Sequence, residues 1–66
     1  MKYAVIQCSN GAFSVASEWT DKDKAIVNFH IVCTNLWNSE DVEHASVIIV
    51  NEKFITEKIE YIKYDA

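Results

Sequence analysis

Residues 2–17 read KYAVIQCSNGAFSVAS, and the Asn10-Gly11 pair at their centre decides the fold. Both central residues of a type I′ turn need positive φ, which Asn and Gly tolerate best. Gly11 is the only glycine in the chain. The runs on either side are short, apolar and β-prone, so the stretch predicts a hairpin of two antiparallel strands.

Beyond the hairpin, Trp19-Thr20-Asp21-Lys22-Asp23 reads as the start of a helix. The Thr20 hydroxyl is placed to cap it by accepting the amide of Asp23, and two acids in the first turn suit the helix dipole. The helix is expected from about residue 21 to about residue 37, with Asn38-Ser39 ending it. Residues 38–44, NSEDVEH, form a polar, acidic connection with room for a short helical turn. Residues 45–50, ASVIIV, are a β-branched run and a strand. Asn51-Glu52-Lys53 suits a tight turn. In FITEKIEYIKY, Ile55, Ile59 and Ile62 fit a helical spacing, while Ile55, Ile59 and Tyr61 fit alternation. The strand reading, from about residue 53 to residue 62, makes a second hairpin. The order is then ββαββ: an α+β fold in which a four-stranded antiparallel sheet carries one long helix on one face.

Ala25, Ile26, Phe29, Val32, Cys33, Leu36 and Trp37 share one broad face of that helix at about 100° per residue. Val27 and Ile31 lie roughly opposite, as a second, narrower apolar stripe. The sheet has the same surplus. Tyr3 and Val5 oppose Ala4, Ile6 and Cys8, and Val47 and Ile49 oppose Ile48 and Val50. Strands apolar on both faces are covered on both faces, and one helix covers only one. A second copy or another protein is therefore expected on the other side, a symmetric dimer being the commonest solution. Val27 and Ile31, with Trp19 and Trp37 flanking the helix ends, are the expected interface residues, tryptophan being a favoured anchor.

With 66 residues the chain is a single small domain, residues 1–66. A domain of this size buries roughly 60% of the surface its unfolded chain exposes, so its stability is marginal. Half of the residues are apolar, which is ample for a core. The apolar runs are far shorter than the roughly 20 residues of a membrane span. The first residues are too briefly apolar for a secretory signal, so a cytoplasmic protein is expected. Net charge is −4 and all six basic residues are lysines. Without arginine forks for phosphates and guanine edges, nucleic-acid binding is disfavoured. An aromatic sheet stacking the bases of a single strand is the form it would take.

Chemistry-bearing residues are few. His30 and Cys33, three apart on the helix, with Cys8, could serve a small-ligand, thiol-redox or metal module, and His44 could complete a Cys₂His₂ set. The spacing matches no zinc finger, and Cys33 on the core face suits a small hydrophobe. In a reducing compartment Cys8 and Cys33 are expected as free thiols. Glu40, Asp41 and Glu43 read as a solvated loop. One glycine rules out a glycine-rich phosphate loop, and no serine sits in a nucleophile elbow. No catalytic constellation and no cofactor is expected.

The opening MKYAVIQC with Asn10-Gly11, followed by SEWTD, AIVNFH and CTNLWN, resembles a group of short uncharacterised proteins of gut bacteria and their mobile elements. The resemblance spans the first two thirds of the chain and carries no activity with it. It implies a small cytoplasmic accessory protein borne on mobile DNA. The expectation is a non-enzymatic, dimeric protein that binds another protein and modulates a host or phage factor.

Overall fold

Asn10 and Gly11 adopt φ of 50° and 86°, the positive pair that a two-residue type I′ turn requires. They join β1 (Tyr3–Ser9) to β2 (Ala12–Trp19). The computed structural model describes residues 1–64, in which α1 (Lys22–Asn38), β3 (Ala45–Asn51) and β4 (Thr56–Ile62) follow. The four strands form one antiparallel sheet in the order β2-β1-β3-β4. The fold is α+β with the order ββαββ, as expected from the sequence.

The helix lies across one face of the sheet. Ala25, Phe29, Cys33 and Leu36 are its buried residues, and Ile26 and Val32 pack half-buried beside them. Opposite stand Val5 of β1, Ala45, Val47 and Ile49 of β3, and Ile62 of β4. Phe29, Ile49, Ile62, Val5 and Val47 are the largest fully buried side chains and form the centre of the core. Trp37, expected on this face, is instead exposed, because it lies in the last turn of the helix and well round from Leu36.

Two bulges decide which side chains reach the helix. In β2, Ser17 pairs with Val5 but Val15 pairs with Ile6, so Ala16 is an extra residue. Trp19 therefore turns toward the helix while Phe13 and Val15 turn away, although all three are odd-numbered. The Trp19 indole donates to Ser17 Oγ (2.7 Å), and that hydroxyl donates to Asn28 Oδ1 on the helix. In β4, Lys58 pairs with Ile49 but Thr56 with Val50, leaving Glu57 as the extra residue. Glu57 swings to the helix side, where it accepts from Lys22 Nζ (3.0 Å) and Asn51 Nδ2 (2.8 Å).

The hydrogen bond and charge of Lys22, with the Asn51 amide, hold the Glu57 carboxyl below its ordinary pKa, and Glu57 in turn raises Lys22. A carboxyl depressed in the folded state contributes stability above its unfolded pKa and loses it as pH falls through the folded value. Urea unfolding midpoints of wild type and Glu57→Gln, followed by circular dichroism at a series of pH values, should therefore converge at low pH and separate toward neutrality. The separation should be small, since the pair is solvent-exposed.

Three boundaries differ from the sequence reading. The helix is capped by Asp21 rather than Thr20: Asp21 Oδ1 accepts from the amides of Asp23 (2.9 Å) and Lys24 (3.4 Å). A charged acceptor outcompetes a hydroxyl for those amides. β4 begins at Thr56 rather than residue 53, because Asn51 Oδ1 captures the amides of Lys53 and Ile55 and holds the intervening residues in a loop. Residues 38–44 carry a turn at Glu40 and Asp41 in place of a helical turn. That connection is tied to the first hairpin. Asn10 donates to the Asp41 carbonyl and accepts from the amides of Glu43 and His44. From the other side Lys63 Nζ donates to the carbonyls of Ser39 and Val42.

Candidate functional site: the open face of the sheet

The strand register places three rows of side chains on the face away from the helix. Val15, Ile6, Ile48 and Ile59 form the middle row, one residue from each strand in spatial order. Phe13, Cys8, Ser46 and Tyr61 form the row on one side, and Glu18, Ala4, Val50 and Thr56 the row on the other. Glu18 is the single charged side chain in these rows. Phe13 is 80% exposed, Val15 60%, Ile59 47% and Tyr61 61%. Ile6, Ile48 and Cys8, on the two central strands, are half-buried by their neighbours. An unbroken apolar ladder thus crosses the whole sheet and faces solvent. Monomeric proteins rarely leave so continuous an apolar surface without a use for it.

Both ends of this face carry further aromatic residues. Phe54 stands in the β3–β4 loop, 85% exposed, at a φ of 61° that a bulky residue rarely adopts. Its amide donates to the Asn51 carbonyl (2.9 Å), and the Asn51 amide donates to the Ile55 carbonyl (3.1 Å). Asn51 is itself buried, so this small network fixes the loop and holds Phe54 out. Phe54, Val50, Ala4, Ile6 and Val15 line a shallow concavity of about 350 Å³, with Lys2, Glu18 and Glu52 on its rim. At the other corner Tyr64 stacks edge-on against Tyr61 (5.8 Å) and His44 (5.2 Å).

Of the four residues expected at an interface, Trp19 and Val27 line one shallow groove, Ile31 lies one helical turn beyond Val27, and Trp37 stands farther along. Val27 and Ile31 are exposed on the outward side of α1, as expected from their spacing, each lining a shallow groove. Trp19 borders the Val27 groove while most of its ring packs half-buried against the core. Trp37 is exposed farther along the helix. The open-face rows depend on pairing between strands distant in sequence, and only the surplus of apolar residues on both sides of β1 and β3 announced them.

Cys8, His30 and Cys33 do not converge on one site. Cys8 lies on the open face and Cys33 beneath the helix on the other, so the sheet separates the two free thiols. Burial, and then the nearby Glu60 carboxylate, raise the Cys33 thiol above its usual pKa, which keeps it neutral and poorly nucleophilic. His30 is exposed and meets the Phe29 ring edge-on at 5.5 Å. Among the described residues no three His, Cys, Asp or Glu side chains gather as a metal site would need.

Exposed aromatics on a sheet suit base stacking, but of the six lysines three are engaged elsewhere and a fourth is offset by acids. Lys58 lies over the Phe29 ring on the helix side, Lys22 pairs with Glu57 and Lys63 serves the Ser39 and Val42 carbonyls. Lys2 reaches the concavity, where Glu18 and Glu52 offset it. No helix among the described residues is long and apolar enough to cross a membrane. No family model, curated protein or solved structure matches the chain.

Proposed function

We propose that this is a non-enzymatic accessory protein that works by protein–protein association through the open face of its sheet. The apolar ladder Val15–Ile6–Ile48–Ile59 carries this reading. Its side chains offer area and shape rather than hydrogen bonds, which suits an apolar protein surface better than a polar substrate or a nucleic-acid backbone. The resemblance to short proteins of gut bacteria supports a cytoplasmic role on a mobile element, where a protein of this size would modulate a host or phage factor.

A photo-crosslinking residue tests the reading. Phe13→p-benzoylphenylalanine places the probe at an exposed position on the open face, and the same substitution at Ile31 places it on the outward helix stripe. Irradiation of cells producing each variant is expected to give protein adducts from position 13 and few from position 31. Adducts from position 31 alone, nucleic-acid adducts alone, or none from position 13 would overturn it.

A further inference from the structure

Resting on that reading, we infer that the occupant of the open face is a second copy of this chain, packed sheet on sheet about a two-fold axis. Self-complementarity is the first argument. The middle row is apolar from end to end, so it packs on its own image without stranding a polar group. The adjacent row ends in Phe13 on β2 and Tyr61 on β4, opposite edges of the sheet. A two-fold axis parallel to the strands lays each β2 over the other copy's β4. Phe13 of each copy then meets Tyr61 of the other, giving two aromatic pairs that flank the aliphatic centre.

Charge is the second argument. Two copies carrying −4 each repel one another, so a stable contact has to exclude the acids. The acids of the helix start and of the 38–44 connection lie off these rows, and only Glu18 stands within them, on an edge strand. Area is the third. Four strands about 4.8 Å apart and roughly 23 Å long present on the order of 400 Å² in plan. Their projecting side chains raise this to about 600 Å² of accessible surface per copy, and two copies reach the lower end of specific interfaces, about 1,200 Å². Packed sheets lie about 10 Å apart, which encloses whatever stands on the central strands. Cys8 stands there, half-buried, while Cys33 is buried beneath the helix in either state.

Light scattering over a concentration range, combined with maleimide labelling, tests the inference on the intact protein. The expected result is a dimer in which Cys8 labels at least about tenfold more slowly than in dilute monomer, with Cys33 slow throughout. Val15→Glu with Ile59→Glu changes two exposed positions and is expected to raise the dimer dissociation constant by about 100-fold or more. Val27→Asp with Ile31→Asp is expected to leave the dimer intact. A monomer at every concentration overturns the second copy, and adducts from position 13 to another protein would then keep the open-face reading. A dimer whose Cys8 labels at the monomer rate, and which Val27→Asp with Ile31→Asp dissociates, overturns the inference in favour of the helix stripe. Should the Val15/Ile59 variant fail to fold, the Cys8 protection of the wild type decides alone.

Discussion

Phe29→Ala is expected to leave most of the protein unfolded at physiological temperature. Phe29 is 1% exposed and sits at the centre of the core. Its ring packs among Val5, Val47, Ile49 and Ile62 and carries the Lys58 ammonium 5.7 Å from its centroid. Removing a buried phenylalanine costs about 3–5 kcal/mol through lost transfer energy and the cavity left behind. A single core in a chain of this length rarely supplies more than about 3–5 kcal/mol in total. The two quantities are equal, so the substitution consumes the whole stability. Phe29→Leu keeps most of the volume and should cost about 1.5 kcal/mol or less. Urea titrations followed by far-ultraviolet circular dichroism separate the two: a cooperative transition for leucine, and none or a sloping baseline for alanine. A normal transition for Phe29→Ala would mean that contacts beyond this core, such as the proposed self-association, supply much of the stability.

Asn51→Ala is expected to be the most damaging change outside the apolar core. The Asn51 side chain accepts from the amides of Lys53 (2.8 Å) and Ile55 (3.2 Å) and donates to Glu57 (2.8 Å). Alanine leaves two loop amides without their acceptor and removes one of the two donors that depress the Glu57 carboxyl. Unmade bonds at partly buried groups cost about 1–3 kcal/mol each when water cannot replace them. With water reaching part of this loop, a total of about 2–3 kcal/mol is expected, read as a lowered thermal midpoint. Amide exchange at Lys53 and Ile55 should quicken by about tenfold or more. Asn51→Asp retains the acceptor but sets a carboxylate against Glu57. It should lose more at neutral pH than in acid, where protonation relieves the repulsion. Equal losses at both pH values would show that repulsion between the new carboxylate and Glu57 plays no part.

Much of the fold was legible because the decisive signals are local. Asn10-Gly11 can do little but turn, and the apolar spacing of residues 25–36 fits a helix on a sheet. What escaped reading depends on partners distant along the chain. The extra residues Ala16 and Glu57 exist only relative to the strands beside them, and they reverse the alternation that the sequence suggests. Trp19 thereby packs half-buried against the core while its edge borders the Val27 groove. Asn51 reads as a turn residue, and its burial follows from the return of β4 past it. The open face was foreseeable as a surplus of apolar residues on β1 and β3. Its continuity across β2 and β4 appears only once the strands are in register.

The central pairing of β1 with β3 has a kinetic consequence. Each hairpin closes a short loop, which takes about 1–10 μs. Tyr3 pairs with Asn51 and Ser9 with Ala45, so the middle of the sheet joins the two ends of a segment that includes the whole helix. That closure costs chain entropy before its contacts return any, which makes it the slow step. Until it is complete, each hairpin displays one unpaired central strand, β1 or β3, and these are the most apolar strands of the sheet. Aggregation during synthesis or refolding should therefore begin at these strands, in the interval before the helix brings them together.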